Sequence, residues 1–347
     1  RSTPKPSSAA SDVYKRHAQN GLEDGFGRRV TYVRISVTDR CDLRCIYCMA
    51  EEMVFQPREQ ILSFEEILRL ARALVELGVS KIRLTGGEPL VRRGIVDLAQ
   101  QIADLPGLRE LVLTTNGTRL APMASELRRA GVRRINISLD TLNENRYREM
   151  TRVGSLQDVL EGIDAAKRAG FESVKINAVI LRGRNFDEVE DLVNFALDRD
   201  LDVTFIEEMP LGSVDGRSRM EEFCSSHEIL RKLQEVFSIL PSSHTTGGPA
   251  RFWQVAGRSS RIGFISPQTH NFCSDCNRIR VTADGKLLPC LGHENATDLR
   301  ELLRSPGATL GDIKALLRYA LQQKPKHHDF TVTERPVLFR HMSRTGG

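Results

Sequence analysis

Six of the seven cysteines fall into two groups of three, and their spacing is the strongest chemical signal in the chain. Cys41, Cys45 and Cys48 form C-x3-C-x2-C; Cys273, Cys276 and Cys290 form C-x2-C-x13-C; Cys224 stands alone. A secreted disulfide scaffold is shorter and denser in cysteine, so metal ligation in a reducing compartment is the better reading. Three thiolates on one short loop can hold three corners of a [4Fe–4S] cube and leave the fourth iron open. A cube that only carries electrons takes four thiolates, and a structural zinc ion takes four ligands. The first trio has no fourth ligand nearby. For the second, His293 could complete a Cys3His zinc site, which competes with a second open cube.

The elements that must position these cysteines follow from periodicity. Strand candidates are Val30–Val37, Lys81–Thr85, Leu108–Thr115, Arg134–Leu139, Val174–Ile180 and Val203–Glu208, separated by amphipathic helical stretches. In Ser63–Leu77, for example, Ile67, Leu70, Ala71, Leu74 and Leu77 recur at helical spacing. Ser63 with Glu66 predicts a capping box and Gly78 a C-cap. Such alternation predicts a parallel sheet, and six units are too few for a closed eight-unit barrel. An open partial barrel is expected, with a doubly wound sheet as the alternative. Each strand ends in polar residues: the cysteine loop, Thr85-Gly86-Gly87-Glu88-Pro89, Thr114-Thr115-Asn116, Ser138-Leu139-Asp140, Asn177 and Glu207-Glu208-Met209. Barrel-type enzymes gather their functional groups at those ends.

Beyond about residue 210 the pattern changes, giving a helix around Glu222–Glu235, a Gly/Ser/Thr-rich connection and two hairpins, Phe252–Ile265 and Arg278–Pro289. Asp284-Gly285 marks a hairpin turn. Short helices are expected at Leu299–Leu303 and Leu310–Gln322, then an extended tail over His327–Gly347. The expected division is a disordered tail over 1–20, a barrel over 21–215 and a C-terminal α+β element over 216–347.

The 347 residues are 40% apolar and 27% charged, as in ordinary soluble proteins. No run approaches the ~20 apolar residues of a membrane span, and Arg1 to Ala10 lack the apolar core of a secretory signal. The net charge of +5 suits an anionic small molecule or nucleic acid equally. No G-x-x-x-x-G-K-[ST] loop is present, so any phosphate must be held by cationic side chains. Arg278 and Arg280, two apart in a strand, share one face beside the second trio. Arg34, Arg83 and Lys175 lie inside strands, where a charge needs a partner or a ligand. For each, a salt bridge is as good an explanation as a ligand. Cys224, His327-His328 and Glu207-Glu208 read as background.

The first cysteine motif, with Tyr47 before its last cysteine, resembles the signature of the radical S-adenosylmethionine (SAM) superfamily. That resemblance implies an open iron chelated by the methionyl group of SAM and a 5′-deoxyadenosyl radical. It implies SAM contacts from Gly87 of GGEP, Ser138, Met209 and Tyr47. Phe272-Cys-Ser-Asp-Cys-Asn-Arg-Ile-Arg280, Asp284-Gly-Lys-Leu-Leu-Pro-Cys290-Leu, Ser36-Val-Thr-Asp-Arg-Cys41 and the terminal Gly346-Gly347 narrow the resemblance to the GTP 3',8-cyclase family of molybdenum cofactor biosynthesis.

Over residues ~20–347 this implies an incomplete (β/α)6 TIM-like barrel, with the C-terminal element carrying a second [4Fe–4S] cluster across its mouth. It implies hydrogen abstraction from C3′ of GTP and closure onto guanine C8, giving (8S)-3′,8-cyclo-7,8-dihydroguanosine 5′-triphosphate for a downstream cyclic pyranopterin monophosphate synthase. Arg34, Arg83, Thr114, Lys175, Arg278 and Arg280 become GTP contacts, and Gly346 and Gly347 join Arg278 and Arg280 in the active site. Thr345 departs from the apolar residue commoner before the glycines. A homodimer in the cytoplasm, served by a reducing electron donor and binding neither nucleic acid nor membrane, is implied as well. Two other readings compete. A peptide-modifying maturase would need further C-terminal cysteines, and a two-cluster electron carrier would need four thiolates per cube.

Overall fold

The computed structural model describes residues 21–212, 217–334 and 336–346. The tail expected over 1–20, the boundary expected at 215/216 and Gly347 lie outside the described residues.

The six expected strands form as β1 (Tyr32–Ser36), β2 (Lys81–Thr85), β3 (Glu110–Thr115), β4 (Val132–Ser138), β5 (Ser173–Val179) and β6 (Asp202–Ile206). They pair in chain order, all parallel, with helices between them. The two-residue period of a strand sorts each one into two faces. On β1, Val33 and Ile35 are fully buried in the apolar core, while Tyr32 and Arg34 turn inward to the barrel cavity. Helix Phe64–Glu76 starts on the expected Ser63/Glu66 capping box and buries Ile67, Leu70, Ala71 and Leu74. Gly78 follows it at φ +92°, a conformation that favours glycine.

Six parallel strands is an undercount. The remaining strands are β7 (Ile239–Ser242), β8 (Arg251–Val255), β9 (Arg261–Ile265), β10 (Arg278–Val281), β11 (Lys286–Leu288) and β12 (Thr297–Asp298). β9 adds in parallel to β6, and β10 adds in parallel to β1. The sheet order is β12-β11-β10-β1-β2-β3-β4-β5-β6-β9-β8-β7. Chain order runs unbroken from β1 to β6, without the reversal of a doubly wound sheet. Eight parallel strands thus form a partial TIM-like barrel, flanked by the two expected hairpins. The turn at Asp284-Gly285 puts Gly285 at φ +84°. Residues after 216 are therefore built into both edges of the sheet, and the second trio lies at the end where β1 begins, not across the mouth where the first cysteine loop leaves β1.

Two smaller expectations change. The helix expected over Glu222–Glu235 is two pieces, Arg219–Glu222 and Ser226–Gln234, and Cys224 lies buried in the connection between them. The tail is not extended throughout: Met342–Thr345 is helical, and Ser343, Thr345 and Gly346 are buried. Periodicity could not reveal one helical turn whose burial depends on distant partners. Among the described residues no helix is long and apolar enough to cross a membrane.

Helices Leu120–Arg129 and Leu156–Ala169 lie close together at Gly162. A Cβ there would stand 2.5 Å from the Gly117 carbonyl oxygen and 3.2 Å from the Leu120 Cβ. Alanine is intrinsically better in a helix by ~1 kcal/mol, whereas overpacking costs ~1–3 kcal/mol. Gly162→Ala should therefore destabilise the chain by about 1 kcal/mol, seen as a lower denaturant midpoint. A raised midpoint would mean that the two helices separate freely.

Candidate active site

Both cysteine trios line a single cavity of about 310 Å³ inside the barrel. The first is carried by the loop after β1. That loop is tightly wound, with Cys48 N donating to Cys45 O at 2.9 Å and Leu43 N to Cys41 Sγ at 3.4 Å. It is anchored to the end of β2, where Gly87 N donates to Thr38 O at 2.7 Å and Glu88 N to Arg40 O at 2.8 Å. This changes the reason for the glycines. A Cβ on Gly86 would meet Thr38 O at 2.7 Å and one on Gly87 would meet Arg40 O at 2.4 Å, so both glycines admit the cysteine loop's own backbone.

Carboxylates surround this first trio. Asp42 accepts from Asn116 Nδ2 at 2.8 Å and Thr118 Oγ1 at 3.0 Å. Glu88 accepts from Leu90 N, Thr115 Oγ1 and Asn116 N at 2.6–2.9 Å. Burial, chiefly, pushes all three thiols up, Cys48 to about 12. Buried thiols among acids give up their protons readily only to a cationic centre, which is what a cube's iron corners offer. The donor set therefore fits such a cluster.

Tyr47, Gly87, Ser138 and Met209, expected around SAM, all line the same cavity. Tyr47 is fixed by its hydroxyl, which donates to Asp140 Oδ2 at 2.7 Å while Val179 N donates to Oδ1 at 2.8 Å. Burial holds the Asp140 carboxyl up at about 6 despite those bonds.

The second trio has the opposite surroundings. Arg28, paired with Asp24 at 2.6 Å, donates to Cys273 O at 2.8 Å and to the carbonyls of Pro325 and Lys326. Lys324 Nζ lies 3.4 Å from Cys276 Sγ. Burial raises the Cys276 thiol, but Arg278 and Lys324 outweigh it and hold the thiol low. His293 is turned elsewhere, with Nε2 2.9 Å from His327 O and 3.6 Å from an Asp329 oxygen. It is not among the residues that line the cavity with the thiols. His293 is therefore not placed as the fourth ligand of a Cys3His site; His328 lines the cavity instead, and among the described residues no group of three or more His, Cys, Asp or Glu is placed to hold a single metal ion.

Between the trios the strand register builds a cationic floor. Arg280, Arg34 and Arg83 are register partners on β10, β1 and β2, and Arg278, Tyr32 and Lys81 form the next row on the same face. Neighbouring strands are only ~4.8 Å apart. Arg83 donates to Tyr32 Oη at 2.6 Å, Thr114 Oγ1 at 2.9 Å and Leu113 O at 3.1 Å. Arg278 lies over the Phe272 ring and Lys175 over Phe252. Arg280 donates to Thr345 O at 3.3 Å and to Gly346 O. Those partners are hydroxyls, carbonyls and rings, none of them a carboxylate. Lys81, by contrast, has Glu110 at 2.9 Å.

The crowding is visible in the protonation equilibria. Burial, then Arg83, pushes Lys175 down to about 7. Burial draws Arg34 down to about 10 although Tyr32 opposes it. Burial raises Tyr32, yet Arg83, Arg34 and Lys81 together hold it down at about 7. A buried cluster of positive charge of this kind suits a polyanion.

All six expected GTP contacts, Arg34, Arg83, Thr114, Lys175, Arg278 and Arg280, line the cavity. Gly346 reaches it through Arg280. At φ +78°, with a Cβ position 2.5 Å from Thr85 Cγ2, only glycine fits there. Sequence reasoning missed Tyr32, Lys81 and Lys324. The strand period offered the first two, each two residues before a chosen arginine; nothing local marked Lys324.

Residues 35–196 match the radical SAM superfamily and residues 201–330 match Molybdenum Cofactor Synthesis C. A GTP 3',8-cyclase of Ectopseudomonas mendocina is 54% identical over 328 residues, spanning 94% of this chain and 99% of that protein. One from Pseudomonas putida strain W619 is 54% identical over 327 residues, 94% and 98%. Among solved structures, SuiB of Streptococcus suis bound to S-adenosylmethionine superposes with a TM-score of 0.60 at 14% identity, over 97% of this chain and 81% of that one. At that identity the likeness concerns the fold.

The charge surplus makes a prediction for polyphosphate binding. An anion on this floor raises the pKa of both Lys175 and Tyr32, so at about pH 8 binding must take up protons. Below about pH 6 both groups are already protonated and the uptake should vanish. Calorimetry with tripolyphosphate in buffers of different ionisation enthalpy should show this, with less uptake in Lys175→Met and Tyr32→Phe. Equal uptake in all three proteins would contradict it.

Proposed function

Because this chain belongs to the radical SAM superfamily and, within it, to the GTP 3',8-cyclase family, we propose that it converts GTP to (8S)-3′,8-cyclo-7,8-dihydroguanosine 5′-triphosphate. One observation carries the reading: two cysteine trios and a row of buried cations open into the same cavity. When bound, a cluster on Cys41, Cys45 and Cys48 would pass an electron from the reductant to SAM, splitting it into methionine and a 5′-deoxyadenosyl radical; that radical would become 5′-deoxyadenosine by taking hydrogen from C3′ of GTP, C3′ would close on guanine C8, and a second electron with a proton would complete the dihydro product. Cys273, Cys276 and Cys290 would hold a second [4Fe–4S] cluster, with an open iron for a nitrogen or oxygen of the substrate.

The protein's own task is placement. Tyr47, held by Asp140, and Gly87, Ser138 and Met209 border the SAM side. Arg34, Arg83, Arg278 and Arg280 offer planar forks that suit phosphate oxygens, with Lys175 and Thr114 beside them. Arg280 has a second role, as the donor that draws Gly346 into the barrel. Gly346, so held, narrows the space around the substrate, limiting water near a reactive radical. A cytoplasmic homodimer, fed by a reducing electron donor and followed by cyclic pyranopterin monophosphate synthase, completes the proposal. The maturase alternative has less support, since the relatives named at 54% identity are cyclases.

Anaerobic reconstitution should load about eight iron atoms per chain, by the two-cube stoichiometry. Cys273→Ser should retain half. The loaded chain with dithionite, SAM and GTP should form 5′-deoxyadenosine while GTP disappears. Stoichiometric zinc in place of the second iron set, or equal turnover of ATP, would defeat the proposal.

A further inference from the structure

Lys324 is a buried lysine, 3% exposed, with no part in the triphosphate floor. All three of its donors have partners. Nζ lies 2.6 Å from Pro289 O, 2.8 Å from Arg278 O and 3.4 Å from Cys276 Sγ. These partners belong to the three segments that must converge around the second trio: the Cys273–Cys276 loop, the start of β10, and the residue before Cys290. Its own backbone is clamped nearby, because Arg28 grips the carbonyls of Pro325 and Lys326 along with that of Cys273. A merely structural crosslink could be made by a neutral amide. What singles out Lys324 is a fixed positive charge set against one cysteine sulfur in a water-poor site.

We propose that Lys324 is the positioning residue of the second trio, which orders its three thiols and raises the reduction potential of the cluster they hold. The inference rests on the two-cluster reading above. An electron added to an iron–sulfur core increases its negative charge, and N–H donation to a ligand sulfur and a nearby cation both stabilise that state. Arg278 acts in the same sense from the other side of Cys276. The first trio has a different neighbour at its sulfur: Asn116 Nδ2, a neutral donor, lies 3.8 Å from Cys41 Sγ, while Asp42 is paired with Arg119 at 2.8 Å. The protein thus separates two chemically similar sites by their charged neighbours. The strongly reducing one faces SAM, and the other is left to hold substrate.

The test is a potentiometric titration of the fully reconstituted chain followed by electron paramagnetic resonance, with the second cluster's signal identified by its loss in Cys273→Ser. In Lys324→Met the second cluster's midpoint should shift to more negative potential, while the first cluster's midpoint is unchanged. Lys324→Arg, which keeps the charge, should restore most of the wild-type value. An unchanged midpoint in Lys324→Met overturns the inference, as does an equal shift in Met and Arg variants. If Lys324→Met fails to hold the second iron set, the Arg variant decides: iron held near the wild-type potential supports the role, and iron lost there too overturns it. Wild-type chain that binds iron for only one cube would instead bring down the two-cluster reading, and this inference with it.

Discussion

The parallel pairing of β10 with β1 is the contact on which the site depends. It joins a strand from the end of the chain to one from the beginning, and its register sets Arg278 beside Tyr32 and Arg280 beside Arg34. Cations opposite one another on adjacent strands are unfavourable by up to ~1 kcal/mol per pair. The other face of the same two strands explains why they stay together. Val33, Ile35, Ile279 and Val281 are all buried there, each contributing about 1.5–3 kcal/mol. Apolar burial outside the barrel therefore holds together a charge cluster inside it. That cluster is stored electrostatic free energy which a bound polyphosphate releases.

The same pairing fixes the relation between the two trios. Cys276 lies just before β10, and Cys290 follows β11, which pairs with β10. Because β10 docks in parallel on β1, the second trio lies at the start of β1 and the loop with the first trio leaves its end, so the two stand at opposite ends of the row of cations. Their electrical surroundings remain separate: acids and backbone turns around Cys41, Cys45 and Cys48, and Arg28, Arg278 and Lys324 around Cys273, Cys276 and Cys290. Two sites with the same ligand count are thus prepared for different work.

Much of this was legible in the sequence. The strands β1 to β6 announce themselves because one face of each must be apolar, and the two cysteine trios stand out by their spacing, which the fold brings to one cavity. The capping box at Ser63 is a local interaction and was read correctly. What remained hidden depends on contacts between distant segments. No local pattern says that β9 will extend β6 or that β10 will extend β1, so the sheet was undercounted. Gly87 was expected beside SAM, and the folded chain shows that Gly86 and Gly87 also make room for the backbone of residues 38–40. Nothing local marks Lys324, and only the folded chain sets its Nζ 3.4 Å from Cys276 Sγ. Gly346 was expected at the site from the resemblance alone, and the folded chain adds the contact that holds it there, from Arg280.

The central claim is that this cavity directs a radical to one carbon of a bound nucleotide. GTP carrying deuterium only at C3′ tests it most directly, by mass spectrometry of the 5′-deoxyadenosine formed with SAM and dithionite. Deuterium should appear in that product and be absent from it when the label sits at C2′ or C4′. Unlabelled 5′-deoxyadenosine from C3′-deuterated GTP, formed as fast as in the absence of nucleotide, would contradict the account.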